Sequence, residues 1–221
     1  MMEVWTVDLC FTTPFHTTGT SLGSFIRVAR GRDRSGSETP YIPATHLKGV
    51  MRCEAERIMR STSGISCFIT GDPVSEDHEI VLCDEVKAGG TGCPVCSLFG
   101  FPNTEGGGGF REGKLRFLDF YPSGNQKEIG VLTRSHVMIN RDYQVKQEHA
   151  LYSEEAIPSG TVFTGNIIVR DDLSEEEERV FLASLHAMAD YGLGKNRSRG
   201  FGALRIGQIK KSDRIPVLEG S

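Results

Sequence analysis

The stretch Gly192-Leu193-Gly194-Lys195-Asn196-Arg197-Ser198-Arg199-Gly200-Phe201-Gly202 constrains this chain more than any other. Four glycines frame three cations, with no carboxylate among them. Glycine reaches positive φ without a steric penalty and lets backbone N–H groups approach a ligand, while central Lys and Arg favour an anion. Such a loop suits a polyphosphate backbone. The plainer reading, a glycine-rich helix end followed by a solvated turn, does not explain the flanks. From Tyr191 to Lys211 there is no acidic residue, and Arg205, Lys210 and Lys211 extend the basic character. The 221-residue chain carries a net charge of -4, so this concentration is local. A net acidic total does not exclude nucleic acid, because binding depends on where the cations sit.

With 38% hydrophobic residues the chain reads as one globular domain carrying insertions. No run approaches the roughly 20 apolar residues that span a bilayer, and Met1-Met2-Glu3-Val4-Trp5 is no signal peptide. The expectation is a cytoplasmic protein with no membrane partner, in which the Asn196-Arg197-Ser198 sequon has no use. Six cysteines without an export signal then argue for thiols or metal rather than disulfides. Cys93 and Cys96 form a CxxC, and Cys67 and Cys83 fall in the same irregular stretch, 61–113. Zinc needs four tetrahedral donors, and a CxxC knuckle fixes two of them on one turn. The stretch has little apolar sequence, so a metal would supply folding energy that it lacks. Cys67, Cys83, Cys93 and Cys96 are the candidate ligands, with His78 an alternative third or fourth. Four protein ligands leave no open position, which makes the zinc structural.

Glu3 to Thr12 alternates apolar and polar residues and predicts a strand with Trp5, Val7, Leu9 and Phe11 on its apolar face and Cys10 as a small strand residue. Thr13 to Pro43 reads as a long loop with His16, Ser21, Arg27, Arg30, Arg32 and Arg34, and Asp33 is the only carboxylate between Asp8 and Glu38. Arginine suits phosphate through its planar fork of donors. A helix is expected from Pro43 to about Met59, N-capped by Thr45. It carries Lys48 and Arg52 four apart, near a helix terminus that itself favours anions. Strands follow at 114–120 and 161–170, with a projecting hairpin at 131–150 turning at Asn140-Arg141-Asp142-Tyr143 and bearing Arg134, His136 and Arg141. Ser174 and Glu177 form a capping box ahead of a helix that ends at Gly192. Ala203 to Ile209 is the last strand, and Lys210 onward reads as a loose tail. Strand, helix, strands, helix, strand is the order of an α+β, split β-α-β ferredoxin-like (RRM-like) core with two long insertions. The aromatic signature that stacks bases on an RRM sheet is missing.

Several of these stretches, in order along nearly the whole chain, resemble the RAMP superfamily of CRISPR systems, specifically the repeated backbone subunit of type III effector complexes. They are His16 to Gly23, Tyr41-Ile42-Pro43-Ala44-Thr45-His46-Leu47-Lys48-Gly49-Val50-Met51-Arg52, Cys93-Pro94-Val95-Cys96-Ser97-Leu98-Phe99-Gly100, Ile157-Pro158-Ser159-Gly160-Thr161-Val162-Phe163 and the loop Gly192 to Gly202. The resemblance implies a single RAMP domain over 1–221 with a ferredoxin-like palm, a zinc-containing insertion at 61–113 and a thumb β-hairpin at 131–150. Copies of such subunits stack along the CRISPR RNA, beside other effector subunits, and present it to a complementary target RNA in antiviral defence. The RNA-binding set implied is His16, Ser21, Arg27, Lys48, Arg52, Arg134, His136, Arg141, Lys195, Asn196, Arg197 and Arg199. The thumb would kink the guide–target duplex.

Cleaving members carry an aspartate in the loop before the helix. Aligned on Thr20-Ser21-Leu22-Gly23 and Ile42-Pro43, that place falls at Ile26 or Arg27, neither acidic; Asp33 better matches a second acidic position nearer the helix. The leading expectation is therefore a guide-binding subunit without cleavage of its own. The alternative is an Mg2+-dependent endoribonuclease acting through catalytic Asp33. A guide-processing RAMP nuclease using His16 and His46 fits less well, since it lacks the zinc knuckle and has two cores. A zinc-stabilised scaffold unrelated to RNA is the remaining reading.

Overall fold

The structure is a computed structural model, and it describes residues 2–33, 35–65, 67, 83, 84, 90, 92–101, 111–123, 129–139 and 146–213. The alternation at the start of the chain forms β1 (Glu3–Phe11), with Trp5, Val7, Leu9 and Phe11 buried and Thr6, Asp8 and Cys10 half-buried on the other face. The stretch 13–43, expected as a loop, instead forms two hairpins, β2 (Thr18–Leu22) with β3 (Phe25–Val28) and β4 (Arg30–Arg32) with β5 (Glu38–Pro40). Strands of three to five residues made largely of Arg, Gly, Thr and Ser carry no readable period of two.

Next comes α1 (Ala44–Ser63), longer than the expected helix by one turn, stopping at Gly64 in the left-handed conformation. Thr45 is not its cap. Pro43 occupies the N-cap position, and the carboxylate of Asp119 accepts the Ala44 N–H at 2.8 Å, a partner 75 residues away that local sequence could not reveal. The remaining elements are α2 (Pro94–Phe99), β6 (Gly100–Phe101), β7 (Arg111–Glu112), β8 (Leu115–Phe117), β9 (Tyr121–Pro122), β10 (Leu132–Ile139), β11 (Lys146–Ala156), β12 (Val162–Val169), α3 (Glu175–Tyr191) and β13 (Leu204–Ser212).

The main sheet runs β13-β1-β12-β8, all antiparallel, with β9 continuing beside β12. Two helical crossovers link its strands: α1 lies between β1 and β8 in the chain, α3 between β12 and β13. Leu47, Met51, Ala55 and Met59 of α1 and Val180, Phe181, Leu185 and Met188 of α3 share one core with the apolar face of β1. Trp5 meets Phe181 edge-on at 4.9 Å. The other sheet face carries polar cross-strand pairs, Thr6 to Asn166 at 2.9 Å and Thr164 to Asp8 at 2.6 Å. The fold is α+β, and no helix among the described residues is long and apolar enough to cross a membrane.

A second sheet, β10-β11-β3-β2, builds the expected hairpin, and its return strand runs to Ala156 rather than Ala150. Register sets this length: Leu132 pairs with Ala156, so the outgoing strand needs six more residues opposite it. Its turn, with Arg141, lies outside the described residues. The parallel pairing of β11 with β3 fixes the hairpin's base, where Glu155 accepts the Val28 N–H at 3.0 Å and faces Arg30. The tail expected after Lys210 is also absent up to Ser212, because β13 pairs with β1 as far as Val4 and Lys211 sits 3.9 Å over the Trp5 ring.

The capping box at Ser174 forms as expected, and its Glu177 does more than close a helix. The carboxylate accepts the Ser174 N–H, the Ser97 hydroxyl and the Lys114 ammonium, joining α3 to α2 and to the approach to β8. Burial alone would raise its pKa; the bonds from Lys114 and Ser97 outweigh it and hold the group below the ordinary 4.5. A depressed carboxylate contributes stability that is present above the unfolded value and lost as pH falls through the folded one. Glu177→Ala should lower the unfolding free energy by about 3 kcal/mol, a cap plus bonds to a charged group. Urea titrations from neutral pH down to below about 4.3 should also show that Glu177→Gln loses part of the wild-type acid dependence.

Candidate functional site

The glycine-framed loop leaves α3 at Gly192 and returns into β13. Gly194 sits at φ 90° and Gly202 at φ 73°, both in the left-handed region. Space forbids side chains at these two places as well: a Cβ on Gly194 would lie 2.6 Å from the Phe15 ring, and one on Gly202 would run into the Leu193 carbonyl. Leu193 is fully buried and anchors the loop. Backbone bonds then lace it to the segment after β1, Lys195 N–H to His16 O at 2.9 Å and Gly202 N–H to Pro14 O at 2.8 Å. Asn196 is the only described non-glycine residue with positive φ, and it opens a short 3-10 turn at Arg197–Arg199.

Between this loop and the start of α1 lies a cavity of about 450 Å³ lined by His16, Thr17, Thr18, Pro43, Thr45, His46, Gly194 and Lys195. His16 is fully buried; its Nδ1 donates to the Glu155 carbonyl at 2.6 Å, which leaves Nε2 buried without a partner. His46, in the first turn of α1, also has a buried, unpartnered Nε2. Burial first, and the Arg197 charge second, lower the His46 pKa and favour the neutral ring. A second cavity of about 520 Å³ shares Thr18 and Pro43 and continues along Arg27, Arg30, Glu38 and Tyr41. Lys195 and Arg27 are exposed, as is Ser21, and Lys48 is half-buried. Burial, then the neighbouring Arg52, lower the Lys48 pKa. A helix N-terminus without first-turn acids, two histidines and exposed cations thus line one connected cleft, a setting that draws anions.

The other sequence-predicted cations are engaged elsewhere. Arg52 pairs with Glu56 at 3.2 Å and donates to the Gly100 carbonyl, facing the cysteine segment. Arg134 lies 4.9 Å over the Phe201 ring, and His136 bonds Glu154 at 2.8 Å. Asn196 donates to the same Glu154 oxygen at 2.6 Å, and Arg199 to the Tyr152 hydroxyl at 3.1 Å. Arg197 reaches the Gly192 carbonyl at 3.4 Å and remains exposed. Tyr152 and Glu154, absent from the sequence-based set, hold this junction; Glu154 stands beside Glu155 in the strand, and nothing local marks one of the two as buried.

Asp33 lies in neither cavity of that cleft. One of its oxygens accepts from the Ser35 hydroxyl at 2.7 Å, the Ser35 N–H at 2.9 Å and the Ser37 N–H at 3.0 Å, which ties the β4–β5 turn together. The Ser35 hydroxyl is the main cause of its lowered pKa. With Asp119 and Tyr121 it borders a separate cavity of about 850 Å³ on the open face of the main sheet.

Cys67, Cys83, Cys93 and Cys96 converge as four buried free thiols whose sulfurs lie within 4.8 Å of one another. The Cys67–Cys96 and Cys83–Cys96 sulfur separations are 3.5 and 3.7 Å. A tetrahedral ion with sulfur bonds of about 2.3 Å needs sulfur edges of roughly 3.8 Å, so the four positions fit zinc. The Cys93 N–H also points at the Cys83 sulfur, at 3.4 Å. Contacts with the Cys67 and Cys96 sulfurs lower the Cys93 pKa, while contacts within the same cluster and burial raise those of Cys67 and Cys96. His78 lies outside the described residues. Gly202→Ala should cost more than about 1 kcal/mol, read as a lower thermal midpoint than Gly200→Ala, which a Cβ leaves unobstructed.

A family model for the RAMP superfamily matches residues 9–205. Among solved structures the chain is similar to a chain of a Type IV-B CRISPR complex, with TM-score 0.64, 16% identity and coverage of 99% of this chain and 93% of that one. It is also similar to a chain of a Type III-B Cmr-beta complex bound to cognate target RNA, with TM-score 0.57, 18% identity and 95% coverage; the chain spans 60% of that relative's length. Curated proteins give no match.

Proposed function

The chain belongs to the RAMP superfamily, and from that premise we propose that it is a guide-RNA-binding backbone subunit of a CRISPR effector complex that presents the guide to target RNA. The observation that carries the reading is the connected cleft from Arg27 to Lys195, where exposed cations, two histidines and the α1 N-terminus face one surface. The strand order and two helical crossovers support a ferredoxin-like core. The CxxC insertion and the β10–β11 hairpin, read as a thumb, support placement in a type III complex among copies of itself and other subunits, working in the cytoplasm.

Within this reading Lys195, Arg197, Arg27 and Lys48 hold guide phosphates. A phosphate beside His46 would offset the Arg197 charge, the smaller of the two causes that lower its pKa, and leave the effect of burial in place. Arg52 acts from behind by bracing α1 against the cysteine segment. Four thiols of suitable spacing support a structural zinc ion at Cys67, Cys83, Cys93 and Cys96. The alternative is Mg2+-dependent cleavage through Asp33, which lies outside that cleft with one of its oxygens engaged in the β4–β5 turn.

Guide RNA binding measured between about 50 and 200 mM salt should weaken steeply, and Lys195→Ala should reduce the log–log salt slope by about 0.7, the value of one phosphate contact on a single strand. RNA binding unchanged by salt and by Lys195→Ala would refute the reading. Incubation of the guide-loaded protein with labelled complementary RNA and Mg2+ should leave the target intact; cuts that vanish in Asp33→Ala would establish the nuclease instead. The protein denatured in a metal-indicator assay should release one zinc per chain, and Cys96→Ser should release none and unfold at lower temperature.

A further inference from the structure

The hairpin and the glycine loop are joined at one place by three different contacts. Glu154 is fully buried, and one of its oxygens receives both the Asn196 amide at 2.6 Å and the His136 ring at 2.8 Å. Alongside, the Tyr152 hydroxyl accepts from Arg199, and Arg134 covers Phe201. Residues 134 and 136 on β10 and 152 and 154 on β11 share one face of the hairpin: Arg134 pairs with Glu154, and His136 pairs with and stacks on Tyr152 at 4.7 Å. That face looks onto the loop.

The second Glu154 oxygen is buried and has no partner. A carboxylate in this state is a poor source of stability, because an unsatisfied buried acceptor keeps its desolvation cost. Its worth lies in direction. Asn196 is held at φ 62°, the position from which the 3-10 turn carrying Arg197 and Arg199 departs. Glu154 grips the side chain of that same residue.

Resting on the guide-binding reading, we propose that Glu154 is a positioning residue that latches the hairpin to the glycine loop, so that the loop gripping the guide and the hairpin reaching across it move as one body. The latch sets the hairpin's angle from the loop side, independently of the parallel β11–β3 pairing that holds its base. Glu154 touches no RNA itself and acts through Asn196.

The test uses the full-length protein, free and loaded with guide RNA. In free protein, amide exchange along β10 and β11 should speed up by roughly ten-fold in Glu154→Ala, the factor expected for losing a hydrogen bond to a charged group. Asn196→Ala removes the same bond from the loop side and should give a comparable effect, with the double variant no worse than Glu154→Ala. This keeps the proposal testable should Glu154→Ala fail to fold. Lys195→Ala is the contrast: it should weaken guide binding and leave hairpin exchange unaltered. In guide-loaded protein, Glu154→Ala should retain most of its affinity yet change the pattern of chemical reactivity along the guide where the hairpin meets it. Unaltered hairpin exchange in both Glu154→Ala and Asn196→Ala overturns the latch. A double variant in which the two effects add also overturns it, since the residues would then act separately. If wild type binds no RNA, the guide-binding reading fails while the exchange data still decide the latch.

Discussion

Two backbone hydrogen bonds decide where everything in the cleft sits: Lys195 N–H to the His16 carbonyl and Gly202 N–H to the Pro14 carbonyl. They bind the exit of the first strand to the loop before the last, two places about 180 residues apart in a chain of 221. Only glycine permits the approach, because a Cβ at position 194 or 202 meets backbone or the Phe15 ring. His16, Lys195 and the start of α1 share a cavity as a consequence. The anion-drawing character of the loop and the packing of the core are therefore one constraint rather than two.

The cysteine segment performs a related service behind the cleft. Ser97, next to Cys96, bonds Glu177 of α3, and Gly100, at the end of α2, accepts from Arg52 of α1. Four thiols that close on an ion would thus fix a wedge against both helices at once. Arg52 was grouped by spacing with Lys48 as part of a basic face. It belongs to this brace, since its side chain bonds Glu56 and the Gly100 carbonyl.

What could be read from the residues alone were features with local causes. The alternation in β1, the Ser174–Glu177 capping box and the glycine spacing each act within a few residues, and each took the expected form. The four cysteines were legible as a set because thiols of this spacing have few other uses in such a chain. The hairpins at 18–28 and 30–40 escaped notice because their pairing comes from partners: β3 lies beside β11, and Tyr41 stacks on Tyr121. The cap of α1 comes from Asp119 and the anchor of Asn196 from Glu154, two acids whose neighbours in sequence say nothing about their partners in space. His16 and His46 pair in the sequence only as candidates for a guide-processing nuclease, and the fold is what places both on one cavity.

The main sheet ends on one side at β13, whose Arg205, Gln208, Lys210 and Lys211 are exposed. Lysine on an outer strand discourages a second strand from adding there. A second copy of this chain is therefore discouraged from joining its sheet to this one through β13, and any assembly of copies would have to be held by contacts other than that strand edge.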